Sequence, residues 1–432
     1  MRRRQSAEQT NRITASRLAS AFVAPDTSID PPIPVPDIPG AFKGAFQGAF
    51  QGADVPIDVG GLPPNSALSP RQRMVVEGSA VGDLALRTWV SSLLTATVAP
   101  AVVAASLRHR SARAERANLS FYAELGAQRD PVKSFPAPTE PPRVCSRRAS
   151  PLTEWAAGGT VENIAFESGF TAVNPAMREQ WSAWKSNNVV RAQHWRHADG
   201  PRPTLCVIHG FMGASYLANG RFFTLPWYYR SGYDVLMYTL PFHGKRAERC
   251  SPFSGFGYFA GGLSGFAEAM AQAVHDFRSV VDYLRGTGVD RIALTGISLG
   301  GYTSALVASV DDRLEAVIPN CPVVIPATLF DEWFPANTLV RLGLRLSQIS
   351  RAELSDGLSY HCPLNYQPLL DKDRRMIITG LGDRMAPPDH AVKLWEHWDR
   401  CALHWFPGSH VLHVSQLDYL RRMTAFLQTV MF

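Results

Sequence analysis

From about residue 160 onward, short β-branched runs alternate with amphipathic helical runs. That alternation marks an α/β fold with a mainly parallel sheet. Val189–Trp195, Thr204–His209 and Tyr233–Leu240 read as strands, and Leu263–Arg285 reads as a helix. In that helix Phe266, Met270, Val274, Phe277, Val281 and Leu284 are spaced to line one apolar face. Arg291–Thr295 reads as a short buried strand. Leu314–Pro319, Arg375–Thr379 and Ala402–Phe406 read as further strands, and Gln416–Met431 as a closing helix.

The pattern ahead of residue 160 is different. Residues 71–128 read as helical and hold an uncharged run, Thr88 to Leu107, followed by Arg108, Arg110, Arg113 and Arg116. The length suits a membrane span. The composition does not, since the run holds three Thr, three Ser and Pro100. Two readings follow: a helical pair packed on the core or on another subunit, or peripheral membrane contact through residues 88–116. Residues 1–70 begin with Arg2-Arg3-Arg4, continue through a Pro-rich stretch and repeat Gly-Ala-Phe three times from Gly40. They read as a disordered extension. Arg17 interrupts the one stretch that resembles a signal peptide, so none is expected. A Pro- and Arg-rich stretch, Phe135 to Pro151, reads as a linker. The expected division is an extension over 1–70, a helical region and linker over 71–150, and an α/β domain over 160–432.

Charge narrows the function. The net charge is +6 from 43 Lys+Arg and 37 Asp+Glu. Residues 1–150 hold 18 basic and 12 acidic residues, and residues 151–432 hold 25 of each, so the whole excess is N-terminal. A neutral core argues against nucleic-acid binding. Six Cys in 432 residues with no zinc-finger or CxxC spacing fit a reducing, cytoplasmic setting and no metal site.

The chemistry centres on Gly296-Ile297-Ser298-Leu299-Gly300. It follows a strand and precedes a helical run, which is the context of a nucleophile elbow. A sharp strand-to-helix turn lifts the Ser298 hydroxyl above the sheet. The flanking glycines leave room for that turn, and the helix N-terminus favours developing negative charge. A serine hydroxyl needs a base, and the base needs an orienting carboxylate; in this context the order along the chain is Ser, acid, His. The strand ending Gly380-Leu381-Gly382 presents Asp383 in a loop at its carboxyl end. Asp371 and Asp373 precede that strand, and Asp389 belongs to the next helix. The base expected one strand later is His410, the first His after the Pro407-Gly408-Ser409 turn, with His413 as its rival.

An acyl carbonyl that turns into an oxyanion needs two donors. The backbone N–H of Leu299 is one candidate and that of Phe211, after His209-Gly210, the other. His243, after the next strand, reads as structural. Residues Phe253 to Gly262 read as a border of the acyl pocket, and Val323 to Tyr366 as a helical cap over the site.

On His209-Gly210-Phe211, Gly296-Ile297-Ser298-Leu299-Gly300, Gly380-Leu381-Gly382-Asp383 and Pro407-Gly408-Ser409-His410, residues 160–432 resemble the α/β-hydrolase superfamily, in its serine esterase and lipase-like branches. The resemblance implies an eight-stranded, mostly parallel sheet with helices on both faces. It implies Ser298 as nucleophile, Asp383 as acid and His410 as base, with no metal or organic cofactor. Residues 1–150 leave no room for a propeller domain, which disfavours a prolyl-oligopeptidase architecture. The expected activity is hydrolysis of a small-molecule ester with an apolar acyl group. The alternatives are acyl transfer by the same residues and a non-catalytic, membrane-associated binding protein on this fold. Oligomeric state stays open.

Overall fold

Nine strands form one mixed sheet in the order β1-β2-β3-β5-β4-β6-β7-β8-β9. The computed structural model describes residues 63, 67–106, 109–213, 215–413 and 416–432. The expectation for residues 1–70 therefore falls almost wholly outside the described residues. The strands are β1 (Cys145–Arg148), β2 (Thr160–Glu167), β3 (Val189–Arg196), β4 (Thr204–Ile208), β5 (Asp234–Tyr238), β6 (Ile292–Ile297), β7 (Ala316–Asn320), β8 (Met376–Gly380) and β9 (Ala402–Phe406). The first three pair antiparallel, and β3 meets β5 antiparallel. From β5 to β9 every pairing is parallel.

The expected count of eight strands becomes nine. The addition is β1, which lies inside the stretch expected to be a linker and pairs with β2. Its four residues are all exposed. They carry no apolar alternation, so only backbone pairing marks them as a strand, and their charges suit an exposed sheet edge.

Strands β4 to β8 are buried along their whole length. That is why they read as continuous apolar runs rather than alternating ones. One sheet face, through Cys206, Ile208, Leu236, Tyr238, Ile292 and Leu294, joins the main core cluster. Over it lie α3 (Gly262–Gly286) and α4 (Leu299–Val307), and α3 supplies Met270, Val274, Phe277, Val281 and Leu284 to the cluster.

Two long helices precede the sheet, α1 (Pro70–Ser106) and α2 (His109–Ala127). They belong to the same compact unit as the sheet, Asp54–Phe432. Polar side chains pin α2 to α3. Glu115 accepts from Ser264 N–H and Oγ–H (3.0 and 2.7 Å), and the Tyr122 hydroxyl donates to Glu268 (2.6 Å). Residues 323–366 form α5 (Pro326–Glu332), α6 (Ala336–Ser347) and α7 (Arg351–Ser359). α7 packs on α2, and α6 packs on α1. In the uncharged run Val90, Ser91 and Leu94 are buried, and the Ser91 hydroxyl bonds Trp333 O and Ala336 N at the start of α6. Among the described residues no helix is long and apolar enough to cross a membrane. α8 (Pro388–His397) and α9 (Gln416–Met431) complete the C-terminal part.

Candidate active site

The chain runs from β4 to β5 on one side of β4, then returns to place β6 on the other side. Such a switch opens a crevice at the carboxyl ends of the strands. The residues after β4, β6, β8 and β9 all gather at that edge, and they include every expected site residue.

Ser298 closes β6 and opens α4 with φ 56° and ψ −116°, a backbone conformation rare for a residue with a side chain. Close backbone packing dictates the two flanking glycines. A Cβ on Gly296 would meet Gly300 backbone atoms at 2.5 Å, and one on Gly300 would meet Ile208 O at 2.2 Å. The turn is held from outside: Ser298 N–H donates to Asn320 O (3.0 Å), and Ser298 O accepts from Tyr302 N–H (2.8 Å). Ser298 stays partly exposed at the head of α4. Leu299 N–H, in the first turn, has no intrahelical acceptor.

Asp383 is fully buried. Its Oδ1 accepts from the N–H groups of Met385 and Ala386 (2.8 and 2.7 Å). Its Oδ2 accepts from His410 Nδ1–H at 2.7 Å. The backbone donors fix the carboxylate, and the carboxylate then fixes the ring and its tautomer. Burial alone would push the His410 pKa down. The Asp383 carboxylate outweighs it, with a further contribution from Asp83, and the pKa is raised above 6.5.

The rival histidines have other work. His413 donates through Nε2 to His410 O (3.1 Å) and accepts from the Tyr419 hydroxyl at Nδ1 (3.0 Å). Burial pushes its pKa to about 4. His209 donates to Gly210 O (2.8 Å) and accepts from Leu240 N–H (3.2 Å), which shapes the turn after β4. His243 is buried with Nδ1 on Pro241 O (2.7 Å). Asp371 lies ahead of β8, at the far end of that strand, and Asp389 is in the first turn of α8.

The β4 loop sits against Ser298: a Cβ on Gly210 would lie 3.4 Å from Ser298 Cβ. Phe211 follows, its ring edge-on to His243, Phe253 and Phe259. Phe211, Phe253, Phe256 and Phe259 are each half-buried, so an aromatic wall borders the β4 loop. A small cavity is lined by Ile297, Phe222, Phe223, Tyr419, Met423 and Asn320.

Among the described residues, the group of His, Cys and acidic side chains close enough to share a cation is Cys321, Asp383 and His410, with ligand atoms within 4.8 Å of one another. Two of the three are the expected acid and base, bonded to each other. Burial holds the Cys321 thiol well above its ordinary pKa, which keeps it protonated and a poor ligand. The donor set fits the proton-handling machinery better than a metal.

A further side chain reaches the site from α1. Asp83 accepts at Oδ2 from His410 N–H (2.8 Å) and Arg384 N–H (3.1 Å), and at Oδ1 from Ser409 Oγ–H (2.8 Å). Nothing in the sequence reading singled it out. Its trace there is periodic: Ser79, Asp83 and Ser91 are buried polar residues on one helix face otherwise lined by Ala80, Val90 and Leu94.

The sheet order, the switch at β4 and the turn at Ser298 mark the fold. It is the α/β-hydrolase fold. A family model described as the prolyl oligopeptidase family matches residues 267–431, which enclose Ser298, Asp383 and His410. That match lies wholly within the sheet-bearing part of the chain. The described residues ahead of β2 form α1, α2, a few short helical turns and β1, so the expectation about a propeller concerned a different region. The chain is 29% identical over 302 residues to an uncharacterized protein of Mycobacterium tuberculosis strain CDC 1551 / Oshkosh, covering 68% of this chain and 69% of that protein. It is 31% identical over 255 residues to an uncharacterized protein of strain H37Rv, covering 57% of this chain and 59% of that one. Acetyl xylan esterase 1 from Thermoanaerobacterium sp. JW/SL YS485 shares the fold, with a TM-score of 0.51 at 15% identity over 71% of this chain and 93% of that one.

Proposed function

We propose that the protein is a serine hydrolase that cleaves carboxylic esters of apolar acyl groups. The observation that carries this reading is the buried His410–Asp383 hydrogen bond of 2.7 Å at the same sheet edge as the strained Ser298 turn. In the reaction Ser298 Oγ attacks the ester carbonyl while His410 Nε2 takes its proton. Asp383 stabilises the imidazolium through Nδ1–H. The N–H groups of Leu299 and Phe211 receive the oxyanion. His410 then protonates the leaving alcohol, and water, activated by the same ring, hydrolyses the acyl-enzyme.

The half-buried rings of Phe211, Phe253, Phe256 and Phe259 support an apolar acyl group. The family match over 267–431 favours a second reading, in which the same residues cleave a peptide or other amide bond. Both predict Ser298-dependent turnover and differ in the leaving group. A p-nitrophenyl ester series from acetyl to palmitoyl, run beside amide analogues on wild type and Ser298→Ala, separates them. Ester turnover with an optimum at long or branched chains supports the first reading, and faster amide turnover supports the second. Product analysis with competing alcohols and amines reveals any acyl transfer. We place the enzyme in a reducing, cytoplasmic setting on its six free cysteines. Carbonate washing of membrane fractions tests contact through residues 88–116.

A further inference from the structure

We propose that Asp83, carried on the N-terminal helix α1, is a positioning residue of this active site that ties the acid loop and the base loop together and supplies a second anion beside the base. The proposal rests on the reading of Ser298, His410 and Asp383 above. One carboxylate spans both loops. Its Oδ2 holds the backbone of Arg384, next to the acid, and the backbone of His410 itself. Its Oδ1 holds Ser409. The residue is 1% exposed. The contact is close along the helix as well: a Cβ on Gly382 would lie 2.6 Å from Val76 O and 2.8 Å from Ser79 Oγ. The acid loop therefore carries glycine where α1 passes over it.

A tether alone does not require a charge. Neutral side chains accept from backbone N–H groups, and burying a carboxylate costs several kcal/mol unless something compensates it. Arg87, one turn along α1, does not do so; it donates to Arg384 O (2.7 Å) and lies 3.6 Å from Glu332. The donors to Asp83 are two backbone N–H groups and one hydroxyl. The titratable groups around His410 are Asp383 on the acid loop, Asp83 on α1, Cys321 after β7 and His413 on its own loop. Burial keeps the Cys321 thiol protonated and His413 neutral, so the two acids serve His410, Asp383 on its ring and Asp83 on its backbone N–H. The positive charge that answers Asp83 arises when His410 takes the serine proton, which is the moment the reaction needs it.

The test separates charge from tether. In Asp83→Asn the amide oxygen can take both N–H groups while the amide nitrogen donates to Ser409 Oγ, so the bonds persist and the charge goes. Asp83→Ala removes both. The readouts are the titration of His410 in histidine-labelled protein by NMR, assigned with His410→Gln, and the rate of fluorophosphonate labelling against pH. Asp83→Asn is expected to melt within a few degrees of wild type while the His410 midpoint falls by about half to one pH unit. The acid limb of labelling falls with it. Asp83→Ala is expected to slow labelling by about tenfold or more through loss of alignment. Should Asp83→Asn not fold, Asp83→Ser, which leaves space for a water, asks the same question. A His410 midpoint in the neutral variant within 0.2 unit (~0.3 kcal/mol) of wild type overturns the proposal. Wild type that titrates as described but does not label at Ser298 would sink the hydrolase reading while the NMR result still judges Asp83.

Discussion

Two of the buried polar networks among the described residues are balanced in different ways. The first joins Arg246 and Asp276, both fully buried, at 2.6 Å. Arg246 also donates to Asn187 O and Thr239 O, and Asp276 accepts from Ser168 Oγ. One cation meets one anion, and nearly every remaining donor finds a backbone or hydroxyl partner. The second network sets two acids on one histidine, Asp383 on the His410 ring and Asp83 on its backbone N–H. The first network holds its own buried cation. In the proposed mechanism the second gains a positive charge when His410 takes the serine proton.

Breaking the comparison gives predictions of graded size. Ser298→Ala should lower kcat by about a thousandfold or more with little change in unfolding, since only the nucleophile is lost. Stopped assays beside chemical denaturation check both halves. Arg246→Ala strands the buried Asp276 charge and should destabilise by about 3–5 kcal/mol, the cost of breaking a buried pair from one side. Its denaturation midpoint should fall while the acid limb of the activity profile stays in place. Gly382→Ala forces α1 off the acid loop and should cost about 1–3 kcal/mol by overpacking. Unlike Arg246→Ala, it should also slow Ser298 labelling. The smallest effect is in pH. In the proposed mechanism His410 works as neutral imidazole, and Asp383, with a smaller contribution from Asp83, raises its pKa above 6.5. Activity should therefore rise with pH through an apparent pKa above 6.5 and be lost below it. A limb at or below 6.5 would mean that burial outweighs the carboxylates.

The sheet-bearing part of the fold was legible because its elements are periodic and its turns carry distinctive residues. The turn at Ser298, the glycine-ended β8 and the turn after β9 each place one candidate side chain at a strand end, where local order along the chain is enough to locate it. The strand β1 was not legible, because an exposed edge strand of Cys145, Ser146, Arg147 and Arg148 has no apolar face to advertise it. Asp83 was hidden for a different reason. It lies some three hundred residues from the loops it holds, and nothing local distinguishes a buried acid on a helix from an exposed one. The uncharged run of α1 reads like a membrane-contact segment, and nothing in its sequence announces that α6 packs on α1 or that Ser91 bonds Trp333 O and Ala336 N–H. Long-range packing, unlike turn chemistry, leaves only a weak periodic trace in a sequence.

The most direct test of the central claim is the site of a fluorophosphonate adduct, mapped by peptide mass spectrometry in wild type, Ser298→Ala and His410→Ala. One adduct is expected, on Ser298, absent in Ser298→Ala and formed far more slowly in His410→Ala. An adduct on another serine, or one on Ser298 that forms equally fast without His410, would contradict the claim.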